Sequence, residues 1–339
     1  MGARRPGWRV LRAGVAILLT AGLLAISGVP VILAAPGEPP APPGLAAAAN
    51  ATPPPVKEPP PEPTAPPTST DEAHESVGKS LDLTRSVEGR AIQVVELGGG
   101  PRWVAVIGGI HQGNEANTTD LVELLLDHFR ANLDLIPDGV GLALIPDLNP
   151  DGAVAGTREN ANGVDLNRNW DSNWQPDSYG PSGLVVGGGG ARPFSEPETR
   201  ALARYLVDRP FVAAIFYHSL GALVVAGHGD DGGSAELARV IALAAQYLYL
   251  TEWTVYPLSG QATDYLANQG IHAVDVELTN YTDPDFAQNL RGLTAALAWA
   301  RTLDVPPHAE RNIPEQISTR CGCKLGVDCP GFAPALCLW

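Results

Sequence analysis

Four residues in three separate segments have the types and settings that metal-assisted hydrolysis needs: His111, Glu115, His218 and Glu277. A catalytic zinc takes three ligands from His, Glu or Asp and leaves a fourth position for water. Such groups belong at strand ends and in loops, where side chains converge on one edge of a sheet. Gly108-Gly-Ile-His-Gln-Gly-Asn-Glu115 follows an apolar run that begins at Arg102 and precedes a helical pattern. His111 and Glu115 therefore fall at such an edge, and Gly108, Gly109 and Gly113 permit a tight turn. His218 follows the apolar run Phe211 to Tyr217 in the same way, and Glu277 interrupts Ala273-Val-Asp-Val-Glu-Leu278. A buried carboxylate is costly unless paired, and so commonly marks a site.

Each residue taken singly has a plainer explanation. A lone histidine at a strand end is more often structural. Glu115 could be a first-turn acid favoured by the helix macrodipole, and Glu277 could pair with an arginine. Their co-occurrence argues against these explanations, as does a polar segment between them. That segment runs Asn149-Pro-Asp-Gly152, then Arg158-Glu-Asn-Ala-Asn-Gly-Val-Asp-Leu-Asn-Arg-Asn-Trp170.

The elements that must hold these residues alternate. Strands are expected from Arg102 into the Gly108-Gly109 pair and over Val140 to Ile145, Phe211 to Tyr217 and His272 to Leu278. Helices are expected over Thr118 to Leu133, from a Ser195 N-cap with Pro197 behind it to Val207, over Ser234 to Leu248, and over Asp285 to Leu303. Short, mostly apolar strands separated by helices predict an α/β fold. The expected architecture is a three-layer α/β/α domain with a central mixed, mostly parallel sheet over residues 80–304.

At these motifs the sequence resembles the zinc metallocarboxypeptidase family, which includes the pancreatic carboxypeptidases and bacterial cell-wall peptide carboxypeptidases. The resemblance spans about Ser86 to Leu303. It begins at Ser86-Val-Glu-Gly-Arg90 and continues through Asn-Pro-Asp-Gly and Gly-Val-Asp-Leu-Asn-Arg-Asn-Trp. Phe194-Ser-Glu-Pro-Glu-Thr199 and the glutamate strand complete it. It implies one zinc per chain, held by His111, Glu115 and His218. Asp165 would hydrogen-bond the free nitrogen of His111, and Arg158 would polarise the scissile carbonyl. Asn167 and Arg168 would clamp a terminal carboxylate. Glu277 would serve as general base to the zinc-bound water and then as general acid to the leaving amine. Tyr256 would cover bound substrate, and Thr263 would line the side-chain pocket, where a small neutral residue gives no support for a basic preference. The family separates its first His and Glu by two residues, whereas three intervene here. Asn114 is a poor zinc ligand, so Glu115 is expected to reach the metal on an altered turn.

The flanks suggest export. Arg4, Arg5, Arg9 and Arg12 precede an uncharged stretch from Ala13 to Ala35, a pattern that fits a cleaved signal or an uncleaved membrane anchor. Residues 36–79 are rich in Pro and read as an extended spacer. Cys321, Cys323, Cys329 and Cys337 lie in a C-terminal tail over residues 305–339, where disulfides are expected over metal in an exported chain. In the 339 residues, 45% are hydrophobic and 17% charged, with a net charge of −15. That balance supports a sizeable core and argues against a nucleic-acid partner, which needs clustered basic residues. The leading expectation is an exported, zinc-dependent metallocarboxypeptidase acting on a peptide or cell-wall peptide with a free carboxylate. The alternatives are a zinc amidase or deacylase of a small N-acylated substrate, and a non-catalytic binding module.

Overall fold

A computed structural model describes residues 78–229 and 232–304. The expected leader, most of the spacer and the cysteine tail lie outside the described residues. Among the described residues no helix is long and apolar enough to cross a membrane.

The domain opens with a hairpin, β1 (Lys79–Arg85) and β2 (Ala91–Gly98), followed by β3 (Arg102–Ile107), α1 (Asn117–Ala131) and β4 (Val140–Ile145). A short helix α2 (Pro150–Ala155) and a small hairpin, β5 (Ser178–Gly180) with β6 (Gly183–Val185), lead to α3 (Pro197–Val207) and β7 (Phe211–Ser219). Then come β8 (Leu223–Ala226), α4 (Gly233–Ala245), β9 (Leu248–Leu250), α5 (Ala262–Asn268), β10 (His272–Leu278) and α6 (Phe286–Thr302).

Eight strands form the main sheet in the order β1-β2-β4-β3-β7-β10-β8-β9. The pairs β4–β3, β3–β7, β7–β10 and β8–β9 are parallel. The pairs β1–β2, β2–β4 and β10–β8 are antiparallel. The sheet is thus mixed and mostly parallel, as expected.

Alternate residues of each central strand enter two separate cores, because successive side chains point to opposite faces. One face carries Val104, Val106, Ile215, Tyr217, Val274 and Val276 against α1, α4 and α6. The other carries Ala105, Ile107, Ala214, Phe216 and Ala273 against Leu202 and Leu206 of α3 and Leu266 of α5. Covering both faces explains why these strands read as unbroken apolar runs. It also places the chemistry. Continuing the second stripe by period two leads from Phe216 to His218 and from Ala273 to Asp275 and Glu277, all on one face at the sheet's edge.

Several expectations are corrected. β7 runs on to Ser219, so His218 lies inside the strand rather than after its end, with its backbone paired to Glu277. The helix expected to reach Leu248 stops at Ala245, where Gln246 turns left-handed at φ 63° and releases the chain into β9. Ser195 is not the cap of α3. Glu196 holds that position, and the Ser195 hydroxyl instead donates to Glu196 Oε1 at 2.7 Å and accepts from Asn169 Nδ2 at 2.9 Å. The strands β1, β2, β8 and β9 and the helices α2 and α5 were not anticipated, since each is short or carries only a weak period.

One carboxylate near the sheet edge gives the fold a testable pH dependence. Burial pushes Asp147 up to about 6, although its Oδ1 accepts from Gln112 Nε2 at 2.8 Å and from the Asn149 amide at 3.0 Å. The unfolded chain releases this proton near ~3.9. Between about pH 4 and 6 the folded state therefore binds more protons, so this group's contribution to stability is lost as pH rises through that window. An asparagine oxygen can accept both hydrogen bonds without the charge. Asp147→Asn is expected to raise stability at pH 7 by about 1–3 kcal/mol and to flatten this window in urea titrations at several pH values. Equal destabilisation at every pH would contradict the assignment.

Candidate active site

His111 leaves the end of β3, and a 3-10 turn over Gly113–Glu115 follows. This turn absorbs the extra residue between His and Glu. Asn114 is exposed, whereas Glu115 is buried and turned inward. Gly113 sits at φ +65°, where a Cβ would stand 2.9 Å from the carbonyl oxygen of Gly156. Only glycine suits that backbone at that closeness.

Three acceptor atoms converge here. His111 Nδ1 lies 3.2 Å from Glu115 Oε2 and 3.1 Å from His218 Nδ1, which is itself 3.4 Å from Glu115 Oε2. The far nitrogens set the tautomers. His111 Nε2 meets Asp165 Oδ1 at 2.9 Å, and His218 Nε2 meets Asp275 Oδ1 at 3.2 Å. Each contact favours a proton on Nε2, so that with a metal bound both Nδ1 atoms and a carboxylate oxygen would face one point. Ligands ~2.0–2.1 Å from a tetrahedral zinc stand roughly 3.3 Å apart, so the triangle has the size of such a site, and His111, Glu115 and His218 form a group that could hold a metal ion.

The surrounding charges agree. Burial disfavours a charged His218, yet Asp275 and Glu115 outweigh it and raise its pKa to about 10. The pocket thus favours positive charge at the point where a cation would sit. Glu115 and Asp165 are both held well below the usual carboxylate range. Burial would raise each, but His111 and Arg158 reverse this for Glu115, as Arg158, His111 and Arg168 do for Asp165. Arg158 contacts Glu115 Oε1 and donates from Nε to Asp165 Oδ2 at 3.1 Å, which places its guanidinium beside the converging atoms.

Glu277 stands next to His218 across β7–β10. Its Oε2 is buried without a hydrogen-bond partner, and burial pushes its pKa up to about 7 while His218 pulls the other way. A cleft of about 500 Å³ opens over these groups. His111, Arg158, Asn167, Arg168, His218, Tyr256, Thr263 and Glu277 all line it, and Glu115 and Asp165 do not.

Arg168 is only 2% exposed. It donates from Nε to the Tyr179 carbonyl at 3.0 Å and from Nη1 to the Asn167 carbonyl at 2.7 Å. Among the described residues no ion pair joins it to a carboxylate, although its charge helps hold Asp165 ionised, and its guanidinium lines the cleft. Asn167 Oδ1 accepts from the Ala262 amide at 3.0 Å and so ties the site to the start of α5. Tyr256 sits with its ring centroid 5.9 Å from the Arg168 guanidinium carbon. Gly260, at φ +62°, lets the loop that follows Tyr256 lie against Arg168, where a Cβ would come 2.1 Å from the Arg168 carbonyl oxygen.

The other sequence motifs are the frame of this site. Ser86 Oγ and the Glu88 amide both donate to Asp151, at 2.6 and 2.9 Å, which staples the Ser86–Arg90 turn to α2. Asn149 caps α2 through its Oδ1 and donates to the Arg158 carbonyl at 3.2 Å, fixing the loop that presents Arg158. Trp170 is fully buried, with Phe194, Phe216 and Tyr265 ring centroids 5.7, 6.2 and 5.6 Å away.

The sequence profile of the zinc carboxypeptidase family matches residues 68–289. This chain belongs to the zinc carboxypeptidase family. Its match to the family begins ahead of β1, inside the Pro-rich stretch. Zinc carboxypeptidase A 1 of Anopheles gambiae is 26% identical over 246 residues, covering 62% of this chain and 56% of that protein. Murein peptide amidase A of Escherichia coli (strain K12) is 30% identical over 163 residues, covering 45% of this chain and 64% of that protein. The chain thus spans less than two thirds of either relative. Carboxypeptidase A from Helicoverpa armigera shares the fold, with a TM-score of 0.55 and 20% identity over 67% of this chain and 70% of that one. The family is zinc-dependent, which agrees with the His–Glu–His triangle.

Of the residues lining the zinc carboxypeptidase cleft that sequence reasoning missed, Asp275 has the closest ties to the ligand candidates. It is bonded to His218 Nε2 and accepts from Thr263 Oγ1 at 3.1 Å. The signal was present in Ala273-Val-Asp-Val-Glu277, because period two puts Asp275 on the same face as Glu277.

Proposed function

We propose that this protein is an exported zinc metallocarboxypeptidase that hydrolyses the C-terminal bond of a peptide or cell-wall peptide. The observation that carries the reading is Arg168, a buried guanidinium without a carboxylate partner. It faces the cleft that also holds the converging ligand atoms and the unpartnered oxygen of Glu277. Burying such a charge is costly unless an anion joins it, and a terminal carboxylate matches its planar donors. The basic and apolar N-terminal segment followed by the Pro-rich stretch supports export.

One zinc per chain, held by His111, Glu115 and His218, would supply a Lewis acid for the scissile carbonyl and lower the pKa of a water. The chain's own groups do the rest. Asp165 keeps the His111 proton on Nε2. Arg168, with Asn167 beside it, binds the terminal carboxylate and so fixes which bond lies over the reacting groups. Arg158 has donors to spare beyond those it gives Glu115 and Asp165, and these stabilise the developing oxyanion. Glu277 takes a proton from the attacking water and returns it to the departing nitrogen. Tyr256 closes over the substrate, and Thr263 lines the side-chain pocket. A second reading, amide cleavage in a cell-wall peptide, is favoured by the similarity to murein peptide amidase A and uses the same groups.

Paired peptides test the proposal. One ends in a free carboxylate and the other in a carboxamide. The free acid is expected to be cleaved at least ~30-fold more efficiently, the scale of losing a buried charged partner. Arg168→Ala should erase the difference, mainly through KM, because its contact exists before and during reaction. Equal cleavage of both peptides by the unaltered protein would refute the carboxylate clamp.

A further inference from the structure

We propose that Asn117 is a positioning residue that sets Glu277 against the ligand atoms by tying together the three chain segments that carry them. The proposal rests on the carboxypeptidase reading and adds to it a residue outside the cleft. Asn117 opens α1 just after Glu115 and is 3% exposed. An asparagine at a helix start ordinarily caps its own helix. Here Ala116 holds the cap position, and no side chain caps α1. The Asn117 side chain is bonded to two other segments instead.

Its Nδ2 donates to the carbonyl oxygens of Asn280 and Asp283, at 2.8 and 3.0 Å, and its Oδ1 accepts from Ser219 Oγ at 2.8 Å. Ser219 follows His218, pairs with Leu278 across β7–β10, and donates its amide to Glu115 Oε2 at 3.3 Å. The two carbonyls belong to the loop that leaves β10 directly after Glu277 and Leu278. That loop is braced from within. Asn280 Oδ1 accepts from the amides of Thr282 and Asp283 at 2.8 and 2.7 Å. Asp285 accepts from the amide and the hydroxyl of Thr279 at 2.6 and 2.8 Å. A displacement of the loop is therefore passed to the end of β10 rather than absorbed. One buried amide thus joins the turn of Glu115, the strand of His218 and the strand of Glu277, with its donor end and its acceptor end both engaged. Asn117 does not line the cleft, so it acts only through the residues it holds. A misplacement of ~1 Å at reacting groups costs on the order of 100-fold in rate, so even a fraction of that shift is measurable.

Asn117→Asp keeps the shape and the acceptor for Ser219 but sets a carboxylate oxygen against two carbonyls, which releases the loop. In the zinc-loaded protein this variant is expected to lower kcat about 10-fold with KM within about 2-fold. Introduced into Glu277→Gln, it should cost little further, because both changes then act on one group. In the cobalt-substituted protein, whose visible absorption reports metal coordination, Asn117→Asp should shift the spectrum. A residue with a structural role alone would lower the urea midpoint and leave the folded protein's kcat and cobalt spectrum as they were, which would overturn the proposal. So would equal losses of kcat with Glu277 and with Gln in its place. If Asn117→Asp does not fold, Asn280→Ala loosens the same loop from its solvent side. It is expected to give the same kcat loss and spectral shift at reduced size, and the absence of both removes the proposal. If the unaltered protein cleaves no peptide, the carboxypeptidase reading itself fails. The cobalt spectrum then decides the positioning role, a shift supporting it and an identical spectrum ending it.

Discussion

Glu277→Gln is expected to lower turnover by at least ~100-fold while zinc stays bound, the lower end of what a positioned acid–base group contributes. The reason lies in its setting. Its Oε2 is buried and without a hydrogen-bond partner, and burial raises its pKa to about 7. Burial raises this carboxylate and a bound zinc would lower it, and between those opposing effects it can take a proton and return it. Glutamine has nearly the same size and cannot do either. It leaves His111, Glu115 and His218 untouched, so metal analysis of the variant should match the unaltered protein. A Glu277→Gln variant with near-normal turnover would end the catalytic assignment even with the zinc site intact.

His218→Ala should abolish zinc retention and activity together. Its Nδ1 stands 3.1 Å from His111 Nδ1 and 3.4 Å from Glu115 Oε2, so it supplies one corner of a three-atom site. Two remaining ligands do not make the three-ligand catalytic arrangement. The change also strips Asp275 of its imidazole partner and leaves a buried carboxylate with a single hydroxyl contact, an arrangement that adds a stability cost. Zinc content measured after dialysis separates the two effects, since a merely destabilised protein would still bind about one zinc per chain when folded. Stoichiometric zinc in His218→Ala would mean that the metal is held elsewhere. The two variants divide the proposed machinery, one testing the proton carrier and the other the metal site.

Much of the candidate site is legible in the sequence because its signals are local. A glutamate in the apolar run of β10 and a histidine beside that of β7 are anomalies visible within a few residues. The His111 to Glu115 segment shows itself as a glycine-rich turn between an apolar strand and a helix. The order of the motifs carried the family resemblance, and the alternation of elements carried the layered fold. Boundaries read less well. His218 was placed past the end of its strand, since nothing local announces that Ser219 still pairs with Leu278. The helix ending at Ala245 looked longer because Gln246 carries no sign of its left-handed backbone.

Residue types, their spacing along the chain and the periods of their apolar neighbours thus belong to the sequence, and they determined the ligand candidates, the candidate base and the sheet with helices on both faces. Only the tertiary structure decided how distant segments meet. That Asp275 touches both His218 and Thr263 depends on the register of β10 against β7 and on where α5 begins. That Arg168 is buried and, among the described residues, in no ion pair depends on where the neighbouring carboxylates pack. Asp151 is engaged by the Ser86–Arg90 turn, and Glu196 and Glu198 are spent on Asn160 and Asn162. Such facts are properties of pairs separated by tens of residues, and a one-dimensional pattern does not encode which charge ends beside which.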